Sequence, residues 1–103
     1  SSIVCCKHIQ IKQNVLISWD VLIMDTDFHK IYDNDHYINP DSEIIIEEKV
    51  WIGCRALVLK GSHILKETVV AAGSIVNKEF LEENVLVGGS PSKIIRKNIS
   101  WDL

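Results

Sequence analysis

Aliphatic residues return at every sixth position through the middle of the chain. The first series comprises Ile46, Ile52, Val58, Ile64, Val70 and Val76. The second series follows four residues later in each hexad and comprises Val50, Ala56, Ser62, Thr68, Ser74 and Phe80. A period of six fits neither the repeat of an amphipathic helix nor the alternation of a half-buried strand. The pattern predicts a parallel β-helix, in which each hexad forms one short side of a turn and the aliphatic side chains stack inside.

The same register extends toward the N-terminus and predicts further coils. The first series continues back through Ile23, Ile17, Ile11 and Cys5, and the second through Val21, Val15 and Ile9. Tight corners between hexads suit Gly53, Gly61 and Gly73, because glycine adopts conformations that other residues avoid. The ladder is already under way at Cys5 without a cap before it. We therefore expect either a missing N-terminal segment or an edge covered by another chain.

The ladder is interrupted once, because the interval between Ile23 and Ile46 is not a multiple of six. The interrupting residues are polar and aromatic and include Asn39-Pro40, a composition typical of an ordered surface loop. Long loops on rigid scaffolds often carry function. The predicted organisation is a single β-helix domain, 1–103. It is divided into first coils (1–23), a loop excursion that holds the active site (24–45), further coils (46–87), and a C-terminal turn and helix (88–103).

A short terminal helix is predicted after the turn at residues 88–91. Ser92 is placed as an N-cap, and Ile94, Ile95 and Ile99 follow at roughly helical spacing. Such a helix would cap the end of the coil.

Composition limits the classes of function. The chain has 103 residues, 47% of them hydrophobic, and a formal net charge of -3. One domain with a buried core is expected, and no electrostatic footprint for nucleic acid is present. No apolar run predicts a membrane span and no leader is evident. Cys5, Cys6 and Cys54 match neither a disulfide framework nor a zinc spacing. Free thiols indicate a reducing compartment, and we expect a cytoplasmic protein.

Four motifs occur in the order of a known family. They are Asp25-Thr26-Asp27-Phe28-His29, Val50-Trp51-Ile52-Gly53, the run 71–78, and Gly89-Ser90-Pro91-Ser92-Lys93. Together they resemble the hexapeptide-repeat acyltransferases, especially the maltose, galactoside and capsule or colanic-acid O-acetyltransferases, without the family's N-terminal part. The resemblance implies a left-handed parallel β-helix, assembled as a homotrimer with active sites between subunits. It also implies acetyl-CoA as the acyl donor and no required metal. Handedness does not follow from the spacing.

On the acceptor side, the resemblance places the catalytic base at His29. An imidazole accepts a proton readily at neutral pH and contributes about 10²- to 10⁴-fold to the rate of such a step. Asp25 and Asp27 are candidates for orienting the imidazole or an acceptor hydroxyl, and equally for turn residues that bond their own backbone. Tyr32 is a candidate acceptor contact, and His36 is a weaker candidate for the base.

On the donor side, the resemblance places the backbone N–H of Cys54 near the thioester carbonyl, Ala72 along the pantetheine arm, and Trp51 beside the groove. Corner packing alone would also explain Trp51 and Ala72. The phosphates of coenzyme A are assigned to the cations Lys78, Lys93 and Arg96. A solvated terminal charge cluster is the alternative for these three.

The leading hypothesis is an acetyl-CoA-dependent O-acetyltransferase that acts on a hydroxyl of a sugar or glycan precursor. Alternative acceptors are serine, an amino sugar or an antibiotic. A γ-type carbonic anhydrase shares the coil and binds zinc through histidines, but the spacing of His8, His29, His36 and His63 does not reproduce its ligand pattern. The non-enzymatic alternative is an inactive, truncated trimeric scaffold.

Overall fold

A computed structural model describes all residues, 1–103, and consists of short strands without a helix. The strands are β1 (Ser2–Val4), β2 (Ile9–Ile11), β3 (Leu16–Ile17), β4 (Leu22–Met24), β5 (Tyr32–Asp33), β6 (His36–Tyr37), β7 (Ile44–Ile46), β8 (Trp51–Ile52), β9 (Leu57–Leu59), β10 (His63–Ile64), β11 (Val69–Val70), β12 (Ile75–Val76), β13 (Leu86–Gly89) and β14 (Ser92–Arg96). Nothing in this fold is a helix of the length and apolarity needed to cross a bilayer.

The strands form three parallel sheets that the chain visits in turn. The first sheet has the order β1-β4-β9-β12, the second β2-β7-β10, and the third β3-β8-β11-β13 with β14 added at its end. In the uninterrupted coils, each residue pairs with one three hexads later: Ile46 with Ile64, Ile52 with Val70, and Val58 with Val76. The predicted parallel β-helix of hexads is confirmed in this three-sided coil.

Both hexad series lie inside the coil, as predicted. Within the run 46–80, every member of the first series is 0% exposed, and the second series ranges from 0% to 4%. In the N-terminal coils, Ile9, Ile11, Val15 and Ile17 are only half-buried. Two of the three small polar members bond nearby backbone: Ser62 Oγ lies 2.6 Å from the Leu59 carbonyl oxygen, and Ser74 Oγ accepts the Gly89 N–H. The buried hydroxyl of Thr68 has no hydrogen-bond partner. Stacked aliphatic side chains therefore supply the core, and the corners absorb the polar residues.

In five of the six hexads of the run 46–80, the residue before the second-series position adopts a positive φ and turns the corner. These residues are Lys49, Arg55, Gly61, Glu67 and Gly73, with φ between 52° and 80°. The corner role predicted for Gly61 and Gly73 is confirmed. Gly53 has a different role: a Cβ there would lie 2.7 Å from both the Val70 oxygen and the Ala72 nitrogen. At this position a side chain is excluded by close backbone approach rather than by φ.

The predicted register of the first coil is wrong at Cys5. Ile23 pairs with Ile3, and Cys5 is exposed in a bend between β1 and β2. The bend turns its backbone N–H groups toward the carboxylate of Asp25. The extra residues that form this bend displace the ladder, which explains why a strict count of six fails there.

The excursion leaves the coil after β4 and returns at β7. It carries one antiparallel hairpin, β5–β6, in which Tyr32 pairs with Tyr37. The coil closes beneath it, because β2 pairs directly with β7, Ile11 lying beside Ile46. The loop is therefore an insertion at the corner between the first and second sheets, and the ladder runs on below it.

The predicted C-terminal helix is wrong. Residues Ser92–Arg96 form β14, an antiparallel strand in which Lys93 lies opposite Gly88 and Ser92 opposite Gly89. Ser92 does not cap a helix; its hydroxyl donates to the Gly89 carbonyl oxygen within the hairpin turn. The outer edge of β13 offers unpaired backbone groups, and a segment rich in isoleucine satisfies them as a strand.

Candidate active site

Three residues assigned to the donor side lie together in one groove. Trp51, Cys54 and Ala72 line an open groove of about 720 Å³ at the corner between the third and first sheets. The remaining lining residues are Ser1, Leu16, Ile17, Ser18 and Trp19. Trp19, which is 71% exposed, was not assigned to the site from sequence. Its place directly below Cys54 in the stack of corners is visible only once the coil is built.

The wall of this groove presents unpaired backbone donors. Gly53 N–H donates to the Val70 carbonyl oxygen and Gly73 N–H to the Cys54 carbonyl oxygen, which ties successive corners together. Between these bonds, the N–H groups of Cys54 and Ala72 donate no hydrogen bond within the chain. Free N–H groups spaced along an apolar groove suit a ligand that carries carbonyl groups.

Trp51 is held at the side of the groove by contacts on both sides. Its Nε1 donates to Ser18 Oγ at 3.2 Å, and its ring lies 5.9 Å from the ring of Trp101. Trp101 is anchored in turn, because its Nε1 donates to the Lys49 carbonyl oxygen at 2.9 Å. The C-terminal segment thus packs back along the third sheet and supports the groove from outside.

His29 occupies a second depression, at the corner where the excursion leaves the coil. The depression measures about 220 Å³ and is lined by Cys6, Thr26, Phe28, His29, Lys30, Tyr37, Asn39 and Asp41. His29 is exposed, and its imidazole makes no hydrogen bond within the chain. Tyr32 lies outside this lining, with its ring 6.1 Å from that of Tyr37.

Asp25 is fully buried and its carboxylate faces the backbone. Both oxygens accept bonds, from the N–H groups of Cys6, Lys7 and His8 at 2.7–2.8 Å. Burial raises the pKa of the Asp25 carboxyl, but the three N–H bonds outweigh it, so the pKa lies below its ordinary value. The carboxylate therefore ties the first coil to the base of the excursion.

Asp27 is bonded to two side chains from other parts of the chain. Its Oδ2 accepts from Lys60 Nζ at 2.7 Å and from Asn39 Nδ2 at 2.9 Å. The Lys60 ammonium and the Asn39 amide hold the pKa of Asp27 below its ordinary value. Neither Asp25 nor Asp27 makes a hydrogen bond to the imidazole of His29.

The three cations assigned to phosphate are exposed and free of ion pairs. Lys93 and Arg96 lie on β14, and Lys78 lies 5.2 Å from the ring of Phe80. His36 lies in the hairpin of the excursion, outside the depression of His29. No group of three or more His, Cys, Asp or Glu side chains is close enough to hold a metal ion.

Within one chain, the groove and the His29 depression have no lining residue in common. They lie at different corners of the triangular coil, because His29 follows β4 of the first sheet and Cys54 follows β8 of the third. The geometry defines a class of protein: a hexad-repeat parallel β-helix with a largely apolar groove at one corner and a histidine-bearing loop at another.

Comparisons with known proteins identify the family. A 24.8 kDa protein of the cps region of Klebsiella pneumoniae is 38% identical over 93 residues, 90% of this chain and 41% of that protein. The polysialic acid O-acetyltransferase of Escherichia coli O1:K1 is 33% identical over 96 residues, 91% of this chain and 31% of that enzyme. The crystal structure of the polySia specific acetyltransferase NeuO superimposes with a TM-score of 0.92 at 33% identity, covering 98% of this chain and 48% of that one.

The chain belongs to the hexapeptide-repeat O-acetyltransferase family. It spans less than half the length of these relatives. No model of a known protein family matches it.

Proposed function

We propose that this chain carries the catalytic coil of an acetyl-CoA-dependent O-acetyltransferase that modifies a hydroxyl of a sugar or glycan precursor. The observation that carries the proposal is the meeting of Trp51, Cys54 and Ala72 in one groove with unpaired backbone N–H groups. A thioester arm fits that groove through its amide carbonyls and thin apolar chain. Two relatives are named as O-acetyltransferases of polysialic acid and of galactosides. These names favour a glycan acceptor over serine or an antibiotic.

In this mechanism, His29 takes the proton of the acceptor hydroxyl as the oxygen attacks the thioester carbonyl carbon. The negative charge that develops on the carbonyl oxygen is stabilised by the Cys54 N–H, which has no competing acceptor in the chain. When the carbon–sulfur bond breaks, the departing thiolate takes the proton back from His29. The acetyl ester and free thiol form, and the enzyme is restored.

We propose a left-handed coil and a homotrimer in which the groove of one subunit meets the His29 depression of the next. The support is that the two halves lie at different corners of one chain, so a single subunit does not bring them together. Light scattering should give three times the 11.7 kDa mass of the chain. A monomer with full transferase activity would refute this arrangement.

The activity is tested with labelled acetyl-CoA and a panel of acceptors: oligosialic acid, a galactoside, maltose, serine and an aminoglycoside. Acetyl transfer to one or more of the glycans is the expected result. Coenzyme A binding without transfer to any acceptor would instead favour the inactive scaffold. Transfer only to serine or the aminoglycoside would move the assignment to that acceptor class.

The phosphate role of the β14 cations predicts a loss of coenzyme affinity. Replacing Lys93 and Arg96 by alanine together should weaken coenzyme A binding roughly 10-fold in calorimetry, since two exposed charge contacts are lost. Lys97→Ala is the matched control, because Lys97 already pairs with Glu82 on the same surface. Equal affinity in the double variant and the control would contradict the role.

Filling the groove should block the donor without unfolding the coil. Ala72 is exposed at the groove wall, so Ala72→Phe adds a ring in the groove and leaves the core intact. We expect coenzyme A affinity to fall by roughly 10-fold or more with an unchanged melting temperature. Gln10→Phe, at an exposed position on β2 outside the groove lining, is the control. Normal binding by Ala72→Phe would place the donor elsewhere.

A further inference from the structure

Two side chains, Asn39 and Lys60, connect the segment of the excursion that leaves the coil (the outgoing limb) with the segment that comes back to it (the returning limb). Asn39 comes from the returning limb and Lys60 from the next coil, between β9 and β10. Asn39 is only 8% exposed, although the residues around it in the loop are mostly open to solvent. A buried amide in an exposed loop indicates that its hydrogen bonds set the loop's conformation.

The Asn39 amide brackets His29 on both sides. Its Nδ2 donates to the His29 carbonyl oxygen at 2.9 Å and to Asp27 Oδ2 at 2.9 Å. Its Oδ1 accepts the Ile31 N–H at 2.6 Å. The side chain of Asp27 and the backbone of His29 and Ile31 are thus bonded to one side chain that lies eight residues or more farther along the chain.

Lys60 joins this arrangement to the rigid coil. Its Nζ donates to Asp27 Oδ2 at 2.7 Å and to the Pro40 carbonyl oxygen at 3.1 Å, one contact on each limb. The side chain is 23% exposed, which places most of its length against the protein. Asp27 remains ionised at neutral pH, since both donors lower its pKa. The ion pair is therefore present under assay conditions.

The imidazole of His29 makes no hydrogen bond of its own within the chain, so its position depends on the backbone that carries it. We propose that Asn39 and Lys60 are positioning residues. They hold the His29 backbone at the position along the coil axis from which its imidazole reaches the acceptor hydroxyl. The inference rests on the proposed role of His29 as the base. On this inference, Asp27 does not contact the substrate; its carboxylate links the two positioning side chains.

Misplacing a catalytic group by about an ångström can cost about 100-fold in rate. We therefore expect Lys60→Met and Asn39→Asp to lower kcat by about 10- to 100-fold while the KM for acetyl-CoA stays within about twofold. Asn39→Asp keeps the shape but removes both N–H donors and sets a second carboxylate against Asp27. Lys60→Arg restores a cation with N–H donors and should recover much of kcat. A role in overall stability alone would not produce this split.

Controls and a second readout keep the inference separate from the proposed function. Lys66→Met and Asn77→Ser change exposed side chains that make no hydrogen bond or ion pair within the chain, and both should match the parent protein. Hydrogen exchange at 26–41 should speed up in Lys60→Met and Asn39→Asp, with other peptides unchanged. Normal kcat in both variants while His29→Ala is inactive would overturn positioning and leave the function standing. A fully active His29→Ala would overturn the role of His29 as the base and the inference with it, whatever the exchange shows.

Discussion

Replacing His29 by alanine is expected to lower acetyl transfer by about 10²- to 10⁴-fold, since a positioned general base contributes that much to such a step. His29 is the imidazole that lines the depression beside the excursion. The groove proposed to bind the donor shares no residue with that depression, so coenzyme A affinity should be unchanged. Single-turnover kinetics with the reactive glycan, together with calorimetry for coenzyme A, would measure both quantities.

His36→Ala is the control for this prediction, because it is an exposed histidine in the same excursion but outside the depression. It should retain full activity. A His29→Ala variant with most of its turnover would remove the base assignment. If His36→Ala were the inactive variant instead, the weaker sequence candidate would take its place.

Replacing Asp25 by alanine is expected to cost about 2–4 kcal/mol of the free energy of unfolding, because the N–H groups of Cys6, Lys7 and His8 lose a charged acceptor. Asp33→Ala is the control, since Asp33 is exposed in the β5–β6 hairpin. Urea denaturation at one fixed protein concentration would compare the two. Equal midpoints for both variants would show that the first coil does not depend on this carboxylate.

The same carboxylate predicts how stability depends on pH. The pKa of Asp25 is lower in the folded chain than its ordinary value of 3.8. Its contribution is therefore complete above that ordinary value and is lost as the pH falls below it, through the folded-state pKa. Relative to Asp25→Ala, the parent protein should lose its stability advantage on acidification. A stability difference between the parent protein and Asp25→Ala that stays constant below pH 3.8 would contradict a stabilising role of the ionised Asp25 carboxylate.

Much of the coil follows from the order of residues alone, because its repeat is local. In the run 46–80, each hexad buries the same two positions, and the residue before the second of them has a positive φ in all but the last hexad. Periodicity therefore predicts which side chains stack, as it did for the run from Ile46 to Phe80. The register failed at Cys5 and the terminal helix at Ser92. In both places, tertiary partners outweighed the local pattern: the Asp25 carboxylate in one and the open edge of β13 in the other.

The sequence by itself determined the hexad core, the break that carries His29, and the resemblance that named the donor residues. Only the tertiary structure decided which of those residues lie next to one another and which groups they contact. It stacked Cys54 and Ala72 into one groove with free N–H groups, turned Asp25 inward, and brought Lys60 against Asp27. These contacts join residues on separate coils, and a period along the chain carries no information about which loop side chain meets which coil.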